Sequence, residues 1–161
     1  MAVDAAGNVY AVWTDDRDQQ LYLAVSRDKG RTWSERKNVI APTTNYADVF
    51  SNVAALEPGH IAIAYLGSPS TAPIQFGIFP VPSDRSGYIA ESFNALDVDP
   101  TFDSVPMRPA EHPMLQGSQS RTEGQAYVVF DRGGRPWSVF VENTVDFLSG
   151  GTIVVGAVQR D

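Results

Sequence analysis

The sequence lacks cysteine altogether and has only two histidines among its 161 residues. The missing cysteines exclude disulfide bridges and thiolate metal sites, a pattern compatible with either the cytoplasm or export. His60 and His112 are far apart and share no spacing typical of metal ligands, so each is expected in a turn or at the surface. The sequence therefore predicts no cofactor and no bound metal.

Long apolar runs and an excess of basic charge are also missing. No segment approaches the roughly 18 apolar residues of a membrane span. No basic segment followed by an apolar stretch comes after Met1, so no signal peptide is visible. The 12 Lys and Arg are outnumbered by 19 Asp and Glu, which gives a formal net charge of −7. Because an acidic surface repels phosphate backbones, neither a nucleic acid nor a membrane is expected as a partner.

A sustained helical period is the third absence. Short alternating runs of apolar and polar residues dominate, and Gly, Pro, Asp and Asn separate them, which predicts an all-β chain. The clearest runs are at residues 8–13, 20–25, 60–65, 125–130, 137–141 and 152–158.

A repeat underlies these runs. Each unit has an apolar strand, a tight polar turn that ends in glycine, and a second apolar strand. The turn glycines are Gly7, Gly59 and Gly134, and they mark units at residues 1–42, 48–107 and 117–161. The third unit shows three strands before the sequence ends, one fewer than we expect for the others.

Residues 26–33 read Ser-Arg-Asp-Lys-Gly-Arg-Thr-Trp. Asp28 is short enough to accept hydrogen bonds from the backbone N–H groups that follow it, and Gly30 can take the positive φ that closes such a turn. We expect Thr32 to resume a strand and Trp33 to bury its large apolar face beside that strand. The string therefore predicts one turn between two antiparallel strands.

This string resembles the Asp-box, or bacterial neuraminidase repeat, of sialidase-type β-propellers. The defining positions are Ser26, Asp28, Gly30, Thr32 and Trp33. A weaker copy with a longer turn contains Ser92, Asn94, Thr101 and Phe102. The order of elements is similar to that in the C-terminal half of secreted bacterial exo-α-sialidase-like proteins, whose propeller has six blades. The resemblance implies a single partial β-propeller domain over residues 1–161, with about two and three-quarter blades of four antiparallel strands each.

The resemblance also suggests catalytic residues. In sialidases three arginines clamp the substrate carboxylate, a tyrosine activated by a glutamate is the nucleophile, and an aspartate is the acid/base. Arg121 is the candidate clamp arginine because it precedes the first strand of the third unit, and Glu123 and Tyr127 complete the candidate catalytic set. Residues 121–125 depart from the acidic, aromatic-rich strand start expected in the family, so a surface position for Arg121 and a packed one for Tyr127 remain the alternative. The Asp-box residues are implied to be structural.

Three functional hypotheses follow. The first is a glycoside hydrolase that acts on or binds sialic-acid-type glycans, within a secreted parent protein. The second is a non-catalytic propeller module that binds a glycan or another copy of the chain, because open blades expose strand edges and apolar faces that a homo-oligomer can cover. The third is a structural β-domain in which the Asp-box only stabilises a hairpin.

Overall fold

The structure is a computed structural model that describes residues 1–47, 51–71, 84–108, 115–116, 126–142 and 152–157. Over these residues the chain forms antiparallel strands and turns without a helix, so the prediction of an all-β chain is confirmed. The described strands form three sheets, none of which closes on itself. Nothing in the described ranges forms a helix long and apolar enough to cross a membrane.

The first sheet has four strands that pair in chain order. They are β1 (Ala2–Val3), β2 (Val9–Asp15), β3 (Gln20–Ser26) and β4 (Lys37–Asn38). β4 is only two residues long and begins at Lys37, although the sequence predicted a strand from Thr32 onward. At Ser34 the N–H donates to the Val25 carbonyl oxygen at 2.8 Å, and the hydroxyl accepts from the Val25 N–H at 3.0 Å. A side-chain bond thus replaces one of the two backbone bonds of a regular antiparallel pair, and the regular ladder begins at Lys37.

The second sheet has six strands. They are β5 (Tyr46–Ala47), β6 (Asn52–Ala55), β7 (Ile61–Ser68), β8 (Asp84–Ser92), β9 (Asp103–Pro106) and β10 (Leu115–Gln116). β6 to β9 pair in chain order, as expected of a four-stranded unit. The two central strands are about twice as long as β6 and β9. Their unpaired ends are completed by β5 on β7 and by β10 on β8, so that more of each edge is hydrogen-bonded.

The third sheet contains β11 (Tyr127–Phe130), β12 (Pro136–Glu142) and β13 (Thr152–Ala157), again antiparallel and in chain order. These strands agree with the three apolar runs predicted at the end of the sequence.

Each sheet has the same hairpin before its first long strand, β2, β7 or β12, at residues 4–8, 56–60 and 131–135; we call these the entry hairpins. In each, the N–H of the first residue donates to the carbonyl oxygen of the fifth, at distances of 3.1, 3.0 and 2.9 Å. The fourth residue is Gly7, Gly59 or Gly134, with φ of 89°, 83° and 77°. Because such φ values favour glycine, the repeat glycines stand where the turn requires them.

Residues that follow their entry hairpin by the same number of positions occupy equivalent places in the three sheets. Tyr10, Ala62 and Trp137 each come two residues after a hairpin. Tyr10 packs in the core between the first and second sheets, and Ala62 packs in the core between the second and third. We call the side of each sheet that carries these residues its leading face.

The opposite side of each sheet, its trailing face, carries the equivalent aromatic residues Trp13, Tyr65 and Phe140. Tyr65 packs toward the first sheet and Phe140 toward the second. The first and second sheets therefore each lay their leading face on the trailing face of the next sheet in the chain.

β7 lies in the middle of this arrangement, and all eight of its residues are buried. Successive side chains of a strand point to opposite faces. Large side chains at positions 61, 63 and 65 pack toward the first sheet, whereas smaller ones at positions 62 and 64 pack toward the third. The second sheet is therefore apolar on both faces and covered on both.

The third sheet approaches the second closely at Gly87 of β8. A Cβ atom at this position would lie 2.7 Å from the ring of Phe140, which is itself buried. The glycine therefore makes room for the ring that fixes the spacing between these two sheets.

The first two entry hairpins are joined by the hydroxyl of Tyr10. This hydroxyl donates to Asp4 Oδ2 at 2.7 Å and accepts from the Gly59 N–H at 2.8 Å. Burial raises the pKa of Tyr10 above its ordinary value, and the hydrogen bond to Asp4 adds to the shift. Burial also acts to raise the pKa of Asp4, but hydrogen bonds from Asn8 and Tyr10 outweigh it and lower that pKa. The link is thus a neutral phenol that donates to a carboxylate.

Replacing Gly87 with Ala tests the close approach of the two sheets. We expect Gly87→Ala to lower the free energy of unfolding by about 1–3 kcal/mol, because the new methyl group overlaps the Phe140 ring. The double variant Gly87→Ala/Phe140→Leu should lose less than the sum of the two single variants, since leucine is smaller. Urea unfolding of the four proteins measures this coupling, and strictly additive losses would contradict the contact.

Replacing Tyr10 with Phe tests the link between hairpins. We expect Tyr10→Phe to cost about 1–3 kcal/mol, because the buried Gly59 N–H loses its acceptor. Tyr22→Phe is the matched control, since its hydroxyl donates to Asp18 within the same sheet at a partly exposed site. Equal losses in the two variants, measured by chemical denaturation, would show that the inter-sheet bond adds nothing.

Candidate functional site

The turn at residues 26–33 joins β3 to β4 and is held by side-chain oxygens. The Ser26 hydroxyl donates to Asp28 Oδ1 at 2.8 Å and accepts from the Gly30 N–H at 2.7 Å. Asp28 accepts from the Thr32 N–H at 2.8 Å and from the Thr32 hydroxyl at 2.7 Å. These bonds from Thr32 lower the pKa of Asp28 from 3.8 to about 2. Gly30 has a φ of 87°, as the sequence predicted for the residue that closes the turn.

The turn between β8 and β9 repeats this arrangement. Asn94 Oδ1 accepts from the Thr101 N–H at 2.9 Å and from the Thr101 hydroxyl at 3.1 Å. The Ser92 hydroxyl donates to the same oxygen at 3.2 Å. Ser26 and Ser92 are each the last residue of the strand that precedes the turn. The weaker copy seen in the sequence thus forms the same hydrogen-bonded turn, with more residues between Asn94 and Thr101.

Trp33 is not buried as the sequence predicted, since 43% of its surface is exposed. Thr32 does not resume a strand either: a single backbone bond joins the Ser34 N–H to the Val25 carbonyl oxygen, and β4 begins only at Lys37. Without a strand to hold it, the indole lies near Gly30, about 4.0 Å from where a Cβ atom of that glycine would stand. In the second turn Phe102 stands where the motif has Trp33, and it packs partly buried against the core between the first and second sheets.

A groove of about 400 Å³ lies between the two turns. Its lining includes Leu23, Val25, Arg27, Thr32, Ser34, Glu35, Lys37, Ala95, Leu96, Asp97, Val98 and Pro100. The Arg27 guanidinium donates to the Leu96 carbonyl oxygen, so one wall is tied to the other. The hydroxyls of Thr32 and Ser34 are engaged with Asp28 and with the Glu35 carbonyl. The groove therefore offers charged and apolar side chains for binding. The hydroxyls of Thr32 and Ser34 are already hydrogen-bonded within the turn.

A second polar cluster lies on the trailing face of the first sheet. The Arg36 guanidinium lies 4.1 Å above the Tyr22 ring, and its Nη1 is 2.7 Å from Asp15 Oδ2. The hydrogen bond from the Arg17 N–H, with that from Arg36, lowers the pKa of Asp15. The loop beside this cluster also contains Asp16 and Asp18. In the described chain no three acidic or imidazole side chains are grouped so that they could hold a metal ion.

His60 closes the second entry hairpin, in agreement with the turn expected for it, but its side chain is buried rather than at the surface. Its Nε2 is 2.7 Å from Glu91 Oε1, and its ring lies between Phe93 and Phe130, with centroid distances of 4.4 and 4.7 Å. Sequence reasoning did not single out Glu91. The available signal was the acidic residue within the buried run of β8, where a charge needs a partner.

The predicted catalytic set cannot be assembled from the described residues. Arg121 and Glu123 lie outside them, as does His112. Tyr127 begins β11 and pairs with Val139, and 57% of its surface is exposed, so its side chain is accessible rather than packed. The catalytic roles of these three residues stay predictions.

A comparison of the sequence with models of known protein families and with curated proteins finds no match.

Replacing Asp28 tests the role of the first turn. We expect Asp28→Ala to lower the melting temperature by roughly 2–4 °C, because the Thr32 donors lose their acceptor. Asp28→Asn should lose less, because Asn94 forms the same bonds in the second turn. A melting temperature unchanged in Asp28→Ala would contradict a structural role.

The same variants have a predictable pH dependence. The folded-state pKa of Asp28 is lowered from 3.8 to about 2, so its contribution is complete above pH 3.8 and is lost as the pH falls toward 2. The difference in melting temperature between wild type and Asp28→Asn should therefore shrink between pH 5 and pH 2, measured by circular dichroism. A difference that grew as the pH fell would contradict the lowered pKa.

Proposed function

We propose that the chain is part of a sialidase-type β-propeller and that it acts on or binds sialic-acid-type glycans. The observation that supports this most is the repeated turn, in which Asp28 and Asn94 accept the same pair of bonds from Thr32 and Thr101. Both turns follow the strand that is third in its unit.

The arrangement of the sheets supports a bladed architecture. Each of the three sheets has the same entry hairpin, and the first packs on the second and the second on the third. Packing of successive antiparallel sheets by radial repetition is what a propeller does. As in the secreted proteins that the sequence resembles, we place the action of the parent protein outside the cell.

Arg121 carries the chemical part of this proposal. A guanidinium matches a carboxylate with two parallel hydrogen bonds, and the carboxylate is the group that distinguishes sialic acids from neutral sugars. Glu123 and Tyr127 follow closely enough in sequence to share a site with it. A neutral tyrosine suits this substrate because an anionic nucleophile would be repelled by the sugar carboxylate.

A second candidate function is a non-catalytic propeller module that binds a glycan or another copy of the chain. The apolar side chains left exposed on the third sheet favour it, since large exposed apolar surfaces mark interaction sites.

Turnover of a fluorogenic sialoside tests the first proposal against the second. We expect Arg121→Ala to lower kcat/KM on the order of 100-fold, as for loss of one preorganised charged donor. Arg132→Ala is the matched control, since Arg132 is an exposed arginine of the third entry hairpin. Absence of turnover by the wild type at high protein concentration, with retention on an immobilised sialoside, would favour the non-catalytic module. Absence of both would remove the glycan proposal.

A further inference from the structure

We propose that the leading face of the third sheet and the trailing face of the first sheet bind each other between two copies of the chain. This proposal rests on the second candidate function, the non-catalytic propeller module that binds another copy of the chain. It specifies which two surfaces meet.

The leading face of the third sheet is exposed where its equivalents are covered. Val129, Trp137 and Val139 are 62%, 38% and 41% exposed, and Val129 is directly opposite Trp137 on the neighbouring strand. The equivalents of Trp137 in the other two sheets are Tyr10 and Ala62, both buried against the next sheet. The third sheet thus presents a face that the rest of the chain uses for packing.

The trailing face of the first sheet carries a matching signature. Trp13 and Tyr22 are opposite each other on β2 and β3, with ring centroids 6.0 Å apart. Tyr65 and Tyr88 hold the same positions in the second sheet, 5.3 Å apart, where they pack against the first sheet. The aromatic pair that receives the preceding sheet inside the chain is therefore repeated on an outer side. There Tyr22 is 9% exposed and lies under the Arg36 guanidinium, so Arg36 is part of the proposed contact surface.

A polar contact is repeated at the same place. The Trp137 indole N–H donates to Asp131 Oδ2 at 2.9 Å, as the Tyr10 hydroxyl donates to Asp4 Oδ2 at 2.7 Å. In the first sheet this bond orients the Tyr10 ring at the boundary with the second sheet, where its hydroxyl meets the Gly59 N–H. The indole of Trp137 is held in the corresponding orientation on the leading face of the third sheet.

The partner that fits both faces is a second copy of the chain. Every copy carries one face of each kind, so that the contact is head-to-tail and closes only when a ring is complete. Two copies bring together twice the three sheets of one chain, a total within the range of about four to eight blades that propellers adopt. The two contacts of such a dimer are identical and continue the packing between sheets of one chain.

The mass in solution tests the second copy. We expect the protein to have twice the monomer mass of 17.5 kDa by light scattering, with dissociation on dilution. Val139→Lys, which places a charge on the exposed leading face, should raise the dissociation constant at least tenfold. Val98→Lys is the matched control, because Val98 is an exposed valine outside that face and should leave the mass unchanged. A wild type that stays at the monomer mass at every concentration overturns the proposal, as does a Val139→Lys protein that remains a dimer.

A mixing experiment tests the head-to-tail geometry. Ala11→Lys places a charge on the trailing face of the first sheet, between positions 9 and 13. Each variant alone should be monomeric, with a circular dichroism spectrum and melting transition that show it is folded. Mixed together, Val139→Lys and Ala11→Lys form one contact with both faces unaltered, so association should partly return. Two folded variants that remain monomeric when mixed would contradict a head-to-tail contact. A variant that dimerises alone would instead indicate a symmetric contact between like faces.

The two proposals fail separately. A monomer that turns over the sialoside overturns the interface between copies and supports the glycan function. A dimer that follows the mutational pattern above but neither binds nor cleaves the sialoside supports the interface and removes the glycan function.

Discussion

The described fold depends on β7, a strand that is buried on both of its faces. β7 is buried along its whole length, and its two rows of side chains serve different neighbours. Large residues on one side fill the space beside the first sheet, while alanines on the other side let the third sheet come close. Burial of apolar area on both sides is the dominant favourable contribution that this sheet can make. The long partner β8 is buried beside it, with Gly87 giving access to Phe140.

Local signals were the parts of this structure that the sequence could predict. A glycine with a positive φ and a carboxylate that accepts bonds within its own turn both act over a few residues. The entry hairpins and the turn at Asp28 could therefore be predicted from the sequence. Strand alternation likewise located most of the strands. The exposure of Trp33 was predicted wrongly, because the motif suggests a strand that the Ser34 hydroxyl interrupts. The added strands β5 and β10 were missed because they depend on unequal strand lengths in a distant part of the chain.

The candidate site was harder to predict than the turns for a physical reason. Glu91 meets His60 across 31 positions, and that encounter is set by the β7–β8 register rather than by any local pattern. The same holds for the groove, whose two walls come from turns of different sheets. The comparison of Asp28 with Asn94 carries a further lesson. The turn needs an oxygen in the right place more than it needs a negative charge, so that a neutral amide can substitute and hide the relationship in the sequence.

The doubly covered second sheet also has a consequence for how the chain folds. Apart from β5 and β10, the strands that pair are neighbours in sequence, so each meander can form without a distant part of the chain. The middle meander, however, is apolar on both faces and cannot persist alone in water. It becomes stable only when the first and third sheets pack on it. The packing of sheets on each other, rather than the pairing of strands, is therefore the cooperative step. Loss of either flanking sheet should therefore release the whole unit at once, and partly folded chains would expose the surface most prone to aggregate.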